Sequence, residues 1–241
     1  MAGSGWAGWR IQQNGANESI LTQPIGGVAG ASLTARDSSR AWQAVASSAD
    51  GTRLVAGEYG GYLYTSSDAG LSWTARTGAG AKNWYAVASS ADGSRLIAAV
   101  NGEYLYLSAD YGANWTAQTA QGSRSWWGVA SSADGYKLYA VASGYRIFRS
   151  YDAGSNWSTT PTNNAWTGIA CSADGTRVGA VVNAGNIWIS ADSGGTFTEY
   201  SSGATRAYTG ISCSADGQRS IPDALVFGTG AILFLLIGHY A

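Results

Sequence analysis

Histidine is nearly missing from this chain of 241 residues: His239 is the single one. A multi-histidine metal site is excluded by count, and a His-based catalytic triad is not expected from one histidine two residues from the end of the sequence. Cysteine is almost as scarce, with Cys171 and Cys213 alone, too few for a disulfide framework or a zinc site. No metal or other cofactor is expected. Charge is thin as well: 12% of residues are charged and the net charge is −1, so nothing draws the chain globally to nucleic acid or to an anionic membrane surface. The start, MAGSGWAGWR, lacks a basic residue followed by an apolar run and is not a signal peptide as it stands. The apolar run at 224–241 is short for a transmembrane helix and holds three glycines, so a membrane span is not expected.

Glycine (34), tryptophan (11) and tyrosine (14) are plentiful instead. Together with the thin charge, this composition suits secreted or surface-displayed β-proteins, and an extracellular or cell-surface location is the expectation. The length suits one large all-β domain or two small ones.

The abundant residues fall into a repeat. Trp42, Trp84, Trp126, Trp166 and Tyr208 share one column, with steps of 42, 42, 40 and 42 residues. Each precedes a (V/I)-(A/S)-(S/C)-S-A-D-G string, and each of the first four leads, 31 residues on, to Trp73, Trp115, Trp157 or Phe197. Within a unit, AWQAVASS reads as a first strand, ADG as its turn, TRLVAG as a second strand, a Gly-rich turn and GYLYTS as a third, and SSDAGLSW as a turn into a fourth. Alternating runs rich in Val, Tyr, Trp and Thr, broken by DG and NG, are hairpin signals. Four strands in about 40 residues make one blade of a β-propeller. The expected fold is all-β: a five-bladed β-propeller of four-stranded antiparallel blades starting near 42, 84, 126, 166 and 208. The last unit lacks a fourth strand, and SLTARDSSRAW at 32–42 resembles SWTARTGAGAKNW at 72–84. A strand at about 32–36 would therefore close the ring, with residues 6–12 as the alternative. Residues 1–31 are left over as an N-terminal arm, and the propeller runs from 32 to 241. The run 224–241 reads as a blade hairpin, an anchor or a partner-docking segment.

The S-x-D-x-G-x-x-W spacing at Asp68, Asp110, Asp152 and, with Phe, at Asp192 resembles the Asp-box (BNR) repeat of sialidases and related propellers. The resemblance covers four of the five units. It implies that these aspartates are fold residues in a turn between third and fourth strands, on the face away from a sialidase active site. The turn chemistry agrees, since Asp accepts backbone N–H bonds locally and Gly takes the unusual φ. The sialidase catalytic set, three arginines with a Tyr–Glu pair and an acid, is not recognisable around Glu18, Glu58, Glu103 or Glu199, the four glutamates. A retaining glycosidase needs two carboxylates about 5 Å apart, and no pair stands out. No catalytic residue is assigned.

Charge placement follows the repeat. Asp50, Asp92, Asp134, Asp174 and Asp216 stand three residues before Arg53, Arg95, Lys137, Arg177 and Arg219, a pattern expected to give five hairpin ion pairs. A second basic column, Arg40, Lys82, Arg124 and Arg206, lies two before the repeat aromatic on the face carrying the second-to-third turns. It either rings the pore mouth for an anionic or polyhydroxylated ligand or pairs locally. The repeat tryptophans are core candidates. Aromatics that break the repeat, Tyr59, Tyr85, Trp127 and Tyr151 above all, then Tyr111 and Tyr136, are the better ligand candidates. Asn17, Asn114 and Asn156 begin N-x-S/T sequons, read as chance. The first reading of function is a non-catalytic, lectin-like module for a glycan or other surface ligand. The alternative is an assembly protein that self-associates through 1–31 and 224–241; a glycoside hydrolase ranks third.

Overall fold

The structure is a computed structural model that describes residues 8–14, 17–23, 34–201 and 206–215. It is antiparallel β throughout, with two single 3-10 turns at Thr77–Ala79 and Thr119–Gln121. An N-terminal sheet holds β1 (Gly8–Asn14), β2 (Asn17–Gln23) and β3 (Thr34–Ala35). Sheet I follows with β4 (Trp42–Ser47), β5 (Leu54–Gly61), β6 (Leu63–Ser66) and β7 (Thr74–Ala75). Sheet II holds β8 (Lys82–Ser89), β9 (Leu96–Glu103), β10 (Leu105–Ser108) and β11 (Thr116–Ala117). Sheet III holds β12 (Arg124–Ser131), β13 (Leu138–Tyr145), β14 (Ile147–Ser150) and β15 (Ser158–Thr159). Sheet IV holds β16 (Asn164–Cys171), β17 (Val178–Gly185), β18 (Ile187–Ser190) and β19 (Thr198–Tyr200), and β20 (Arg206–Ala207) opens the next unit.

The sheets are stitched to one another in a repeated way. Beyond its partner within the sheet, each second strand runs on and pairs with the next sheet's first strand. Tyr59 faces Asn83, Asn101 faces Ser125, Ser143 faces Ala165 and Asn183 faces Ala207. At the other end of the first strands, backbone bonds pass from turn to turn: Ala49 N–H donates to Ala91 O (2.7 Å), Ala91 to Ala133 (2.7 Å), Ala133 to Ala173 (2.6 Å) and Ala173 to Ala215 (2.8 Å). Between these ends the first strands crowd together, and glycine permits it. A Cβ on Gly168 would stand 3.2 Å from the Gly210 Cα, and one on Gly128 would stand 3.4 Å from the Gly168 Cα. The stretch from Tyr208 to Ala215 thus lies beside β16 as β16 lies beside β12.

The core sits within and between the sheets. Trp42, Trp84, Trp126 and Trp166 are at most 1% exposed. Each meets an aromatic of its own sheet's third strand edge-on: Tyr64 at 5.1 Å, Tyr106 at 5.1 Å, Phe148 at 4.9 Å and Trp188 at 5.8 Å. Such pairs contribute about 0.5–1.5 kcal/mol each beyond area burial. The Trp84 indole donates to Gly61 O (3.1 Å) and that of Trp126 to Glu103 O (3.2 Å), which ties each ring to the sheet before it.

Residues 1–31, set apart by sequence as an arm, contain two of the strands. Their register copies that of the repeat: Leu21 pairs with Ala35 and Arg10, and Thr22 with Thr34 and Trp9. In sheet I, Tyr64 pairs with Ala75 and Ala56, and Thr65 with Thr74 and Val55. Thus β1, β2 and β3 pair as second, third and fourth strands do, and 34–35 is an outer strand. The segment 224–241, Asp216 and Arg219 lie outside the described residues.

Candidate functional site

Each S-x-D-x-G-x-x-W turn is a closed set of bonds. In the third, Ser150 Oγ donates to Asp152 Oδ1 (2.8 Å) and accepts from Gly154 N–H (2.9 Å), while Asp152 accepts from the N–H (2.8 Å) and the side-chain amide (2.7 Å) of Asn156. Asp68 and Asp192 are held down to about 2. Ser72 is the main cause for the first, through its hydroxyl and then its N–H, and the Thr196 N–H is the main cause for the second. Each of these carboxylates is engaged by donors of its own turn.

Among the described residues the expected hairpin ion pairs are not formed, which corrects that reading for the first four units. Asp50 accepts from the Ser48 hydroxyl (2.5 Å) and the Thr52 N–H (3.0 Å), and Asp92 and Asp174 are used alike and held down to about 2, by the hydroxyls of Ser90 and Ser172 first. The bases reach forward instead. The stems of Arg53, Arg95 and Lys137 lie over Gly93, Gly135 and Gly175 of the next sheet's turn, 2.8, 2.6 and 2.7 Å from where a Cβ would be. The Arg53 head stacks 3.8 Å above Tyr111 and that of Arg95 4.4 Å above Tyr136, while Lys137 Nζ donates to Asp174 O (2.8 Å). These clamps between sheets were missed in the sequence, because a short sequence spacing pointed to a local partner.

At the opposite end of the first strands, the second basic column is engaged locally. Arg40 lies 3.3 Å from Asp37 and 4.0 Å from Glu58, with its head 4.6 Å over Tyr64. Lys82 Nζ is 2.7 Å from Glu103. Arg124 donates to Gln121 O (2.9 Å) and lies 4.2 Å over Tyr145. The Arg206 backbone pairs with Gly185 in the same place; its side chain is outside the described residues.

Among the repeat-breaking aromatics, two are brought into contact. The first strand of every sheet bulges at the residue after its buried tryptophan, placing Gln43, Tyr85, Trp127 and Thr167 out of register. Bulges re-aim side chains. Tyr85 and Trp127, 42 positions apart, meet at 5.0 Å and 62°. The Trp127 Nε1 is buried and has no hydrogen-bond partner. Tyr59 stands 47% exposed near Tyr85, and the Tyr85 hydroxyl titrates above its ordinary value through burial first and Tyr59 second. Tyr151 lies apart, on the box-turn face, where its hydroxyl donates to Ser193 O of the next sheet (2.7 Å).

One polar cluster resembles catalytic furniture. Tyr64 Oη donates to Glu58 Oε2 (3.2 Å), and Arg40 joins Glu58 to Asp37. Glu58 takes the place that Val100, Ala142 and Val182 take opposite the buried tryptophans. The Tyr64 hydroxyl is pushed up, by burial first and Glu58 second, the opposite of what an activated phenolate needs. Glu199 accepts from the Asn186 amide (2.7 Å). Burial first, then Cys213, pushes the Cys171 thiol up to about 12. Among the described residues no three His, Cys, Asp or Glu side chains gather where a metal would bind.

No protein-family model and no curated protein matches the chain. Solved structures do match in shape, and they define the class as a β-propeller. A GH74 enzyme of Niastella koreensis aligns with TM-score 0.57 and 18% identity over 81% of this chain and 30% of that one. A GH74 xyloglucanase of Xanthomonas campestris aligns with TM-score 0.58 and 17% identity over 82% of this chain and 36% of that one. A chain of a nidogen/laminin complex aligns with TM-score 0.63 and 10% identity over 86% of this chain and 81% of that one. The chain therefore spans about a third of the GH74 structures it resembles. At these identities the likeness concerns the fold.

Proposed function

We propose that the chain is a five-bladed, non-catalytic propeller module that binds a glycan, displayed outside the cell. The fifth blade combines an inner strand from Tyr208–Ala215 with β1, β2 and β3, and the register that β1–β3 share with β5–β7 supports this closure. One observation carries the binding reading: the bulges bring the rings of Tyr85 and Trp127 together, with exposed Tyr59 near Tyr85. Sugar recognition uses such parts, an apolar ring face with a few convergent polar groups. The repeat does not need them, since Gln43 and Thr167 occupy the same place in sheets I and IV.

The test is a glycan array that includes xyloglucan, because a xyloglucanase is among the structural relatives. A positive glycan should lose at least about 2 kcal/mol of binding in Trp127→Ala. An empty array, together with discrete oligomers by electron microscopy, would replace this reading with assembly. A second reading, glycoside hydrolysis, draws on the Tyr64–Glu58–Arg40–Asp37 cluster. It requires turnover that Glu58→Gln abolishes. Turnover that survives this change removes the cluster from consideration.

A further inference from the structure

The seam between sheets I and II differs from its counterparts in a way the fold does not require. A cleft of about 80 Å³ opens there, on the box-turn face, lined by Arg53, Arg76, Thr65, Tyr111, Ser66 and Ser72 among others. Neither arginine has an ion-pair partner among the described residues. Arg76 spends its Nε–H on Thr65 Oγ1 (2.7 Å), which leaves its terminal nitrogens for another acceptor. Arg53 is stacked at 3.8 Å on the face of Tyr111, a mode that orients the guanidinium while leaving its edge N–H groups in plane and available. Asp68, the acid behind Ser66 and Ser72, is occupied by the Ser66 hydroxyl (2.7 Å), the Ser72 N–H (2.9 Å) and the Ser72 hydroxyl (2.5 Å).

The matching positions of the other sheets show what the fold tolerates. Thr65, Leu107 and Arg149 hold one register place on third strands. Arg76, Gln118 and Thr160 hold one place after fourth strands, each donating its N–H to the carbonyl that starts the third strand. Tyr111 takes the left-handed place, φ 61°, that Ala69, Ala153 and Ser193 take elsewhere. A bulky side chain rarely adopts that conformation. At the seam of sheets II and III, Leu107 faces the space and the second arginine is missing. At the seam of sheets III and IV, the Arg149 guanidinium bonds to Gly194 O across it. Only the first of these three seams combines two guanidinium groups that lack an ion-pair partner with a stacked tyrosine.

We propose that this cleft is a binding site for a tetrahedral oxyanion, sulfate or phosphate, free or as an ester on a larger ligand. Two planar guanidinium forks turned to one space are the donor set that such an anion recruits. The site is independent of the Tyr85–Trp127 site, so either can fail alone.

The test is thermal unfolding of the full chain at constant ionic strength, with chloride replaced by inorganic sulfate, inorganic phosphate or galactose 6-sulfate. The wild-type midpoint should rise with at least one of these and saturate, as ligand-linked stabilisation does. The double variant Thr65→Leu/Arg76→Gln installs the residues of the next sheet, which that sheet already folds with. It should keep the chloride midpoint and bind the anion about tenfold more weakly or worse. A sulfate ester that binds more tightly than the free ion assigns the site to a sulfated glycan; a free ion that binds as well or better assigns it to the ion. A wild-type midpoint indifferent to all three, or a double variant that responds as the wild type does, overturns the site.

Discussion

Replacing Ser150 with alanine tests how the box turns hold the sheets. Ser150 is 2% exposed at the end of β14, and its Oγ is the acceptor for Gly154 N–H at 2.9 Å inside the buried part of the turn. The same oxygen carries the proton given to Asp152 Oδ1 at 2.8 Å. Alanine leaves the Gly154 donor buried and unbonded, which costs about 1–3 kcal/mol. The bond to the solvent-facing carboxylate adds little, because water replaces it. For a chain of this size, where about 1 kcal/mol moves the midpoint by roughly 2–4 °C, the loss corresponds to about 2–12 °C. Urea unfolding at neutral pH, followed by tryptophan fluorescence, reads the change directly, with an unchanged slope if the native and unfolded states keep their extents. Asp152→Asn is the comparison: the amide oxygen still accepts from Asn156 N–H, so it should cost less than Ser150→Ala. A Ser150→Ala change within about 0.5 kcal/mol of wild type, or one smaller than that of Asp152→Asn, would refute the assignment of the buried serine as the centre of the turn.

The clamp between sheets can be weighed with two glycines of similar backbone. Gly135→Ala (φ 71°) puts a Cβ 2.6 Å from the Arg95 stem, whereas Gly144→Ala (φ 75°) meets nothing within 4 Å. Both lose the backbone allowance of about 1 kcal/mol, and the extra loss in Gly135→Ala, by the same urea assay, measures the clamp; equal losses would remove it. Acid should act through the turns: Asp68, Asp92, Asp174 and Asp192 titrate at about 2 in the folded chain against an ordinary 3.8. Their contribution is complete above about pH 4 and is lost as pH falls toward 2, because the unfolded chain binds protons first. The urea midpoint should decline over that window, and a flat profile between pH 4 and 2 would contradict the turn bonding.

Much of the fold was legible because turn chemistry is local. Ser66, Asp68 and Gly70 meet within five residues, so their spacing survives in every copy and marks the period. The columns of Trp42, Trp84, Trp126 and Trp166 were legible for a related reason: a core position repeated at one place in each sheet must repeat its residue type. At the N-terminal end a strand was legible near 32–36, with 6–12 as its alternative, but the three-stranded sheet was not, since β1–β3 share pairing geometry with the repeat but not its box residues. Register is set by backbone bonds that any side chain permits.

The sites divide along the same line. Local rules identified which residues break the repeat, Tyr59, Tyr85, Tyr111 and Trp127 among them, because a departure from a periodic pattern is visible without coordinates. Partnership was beyond those rules. Arg53 has an acid three residues before it, yet it stacks on Tyr111 in the next sheet. Arg40 finds Glu58 as well as nearby Asp37, and Tyr85 finds Trp127. Sequence spacing defines an address within a sheet, while the choice among neighbours is made where separate sheets converge, by the bulges, glycine contacts and strand extensions that set the distance between them.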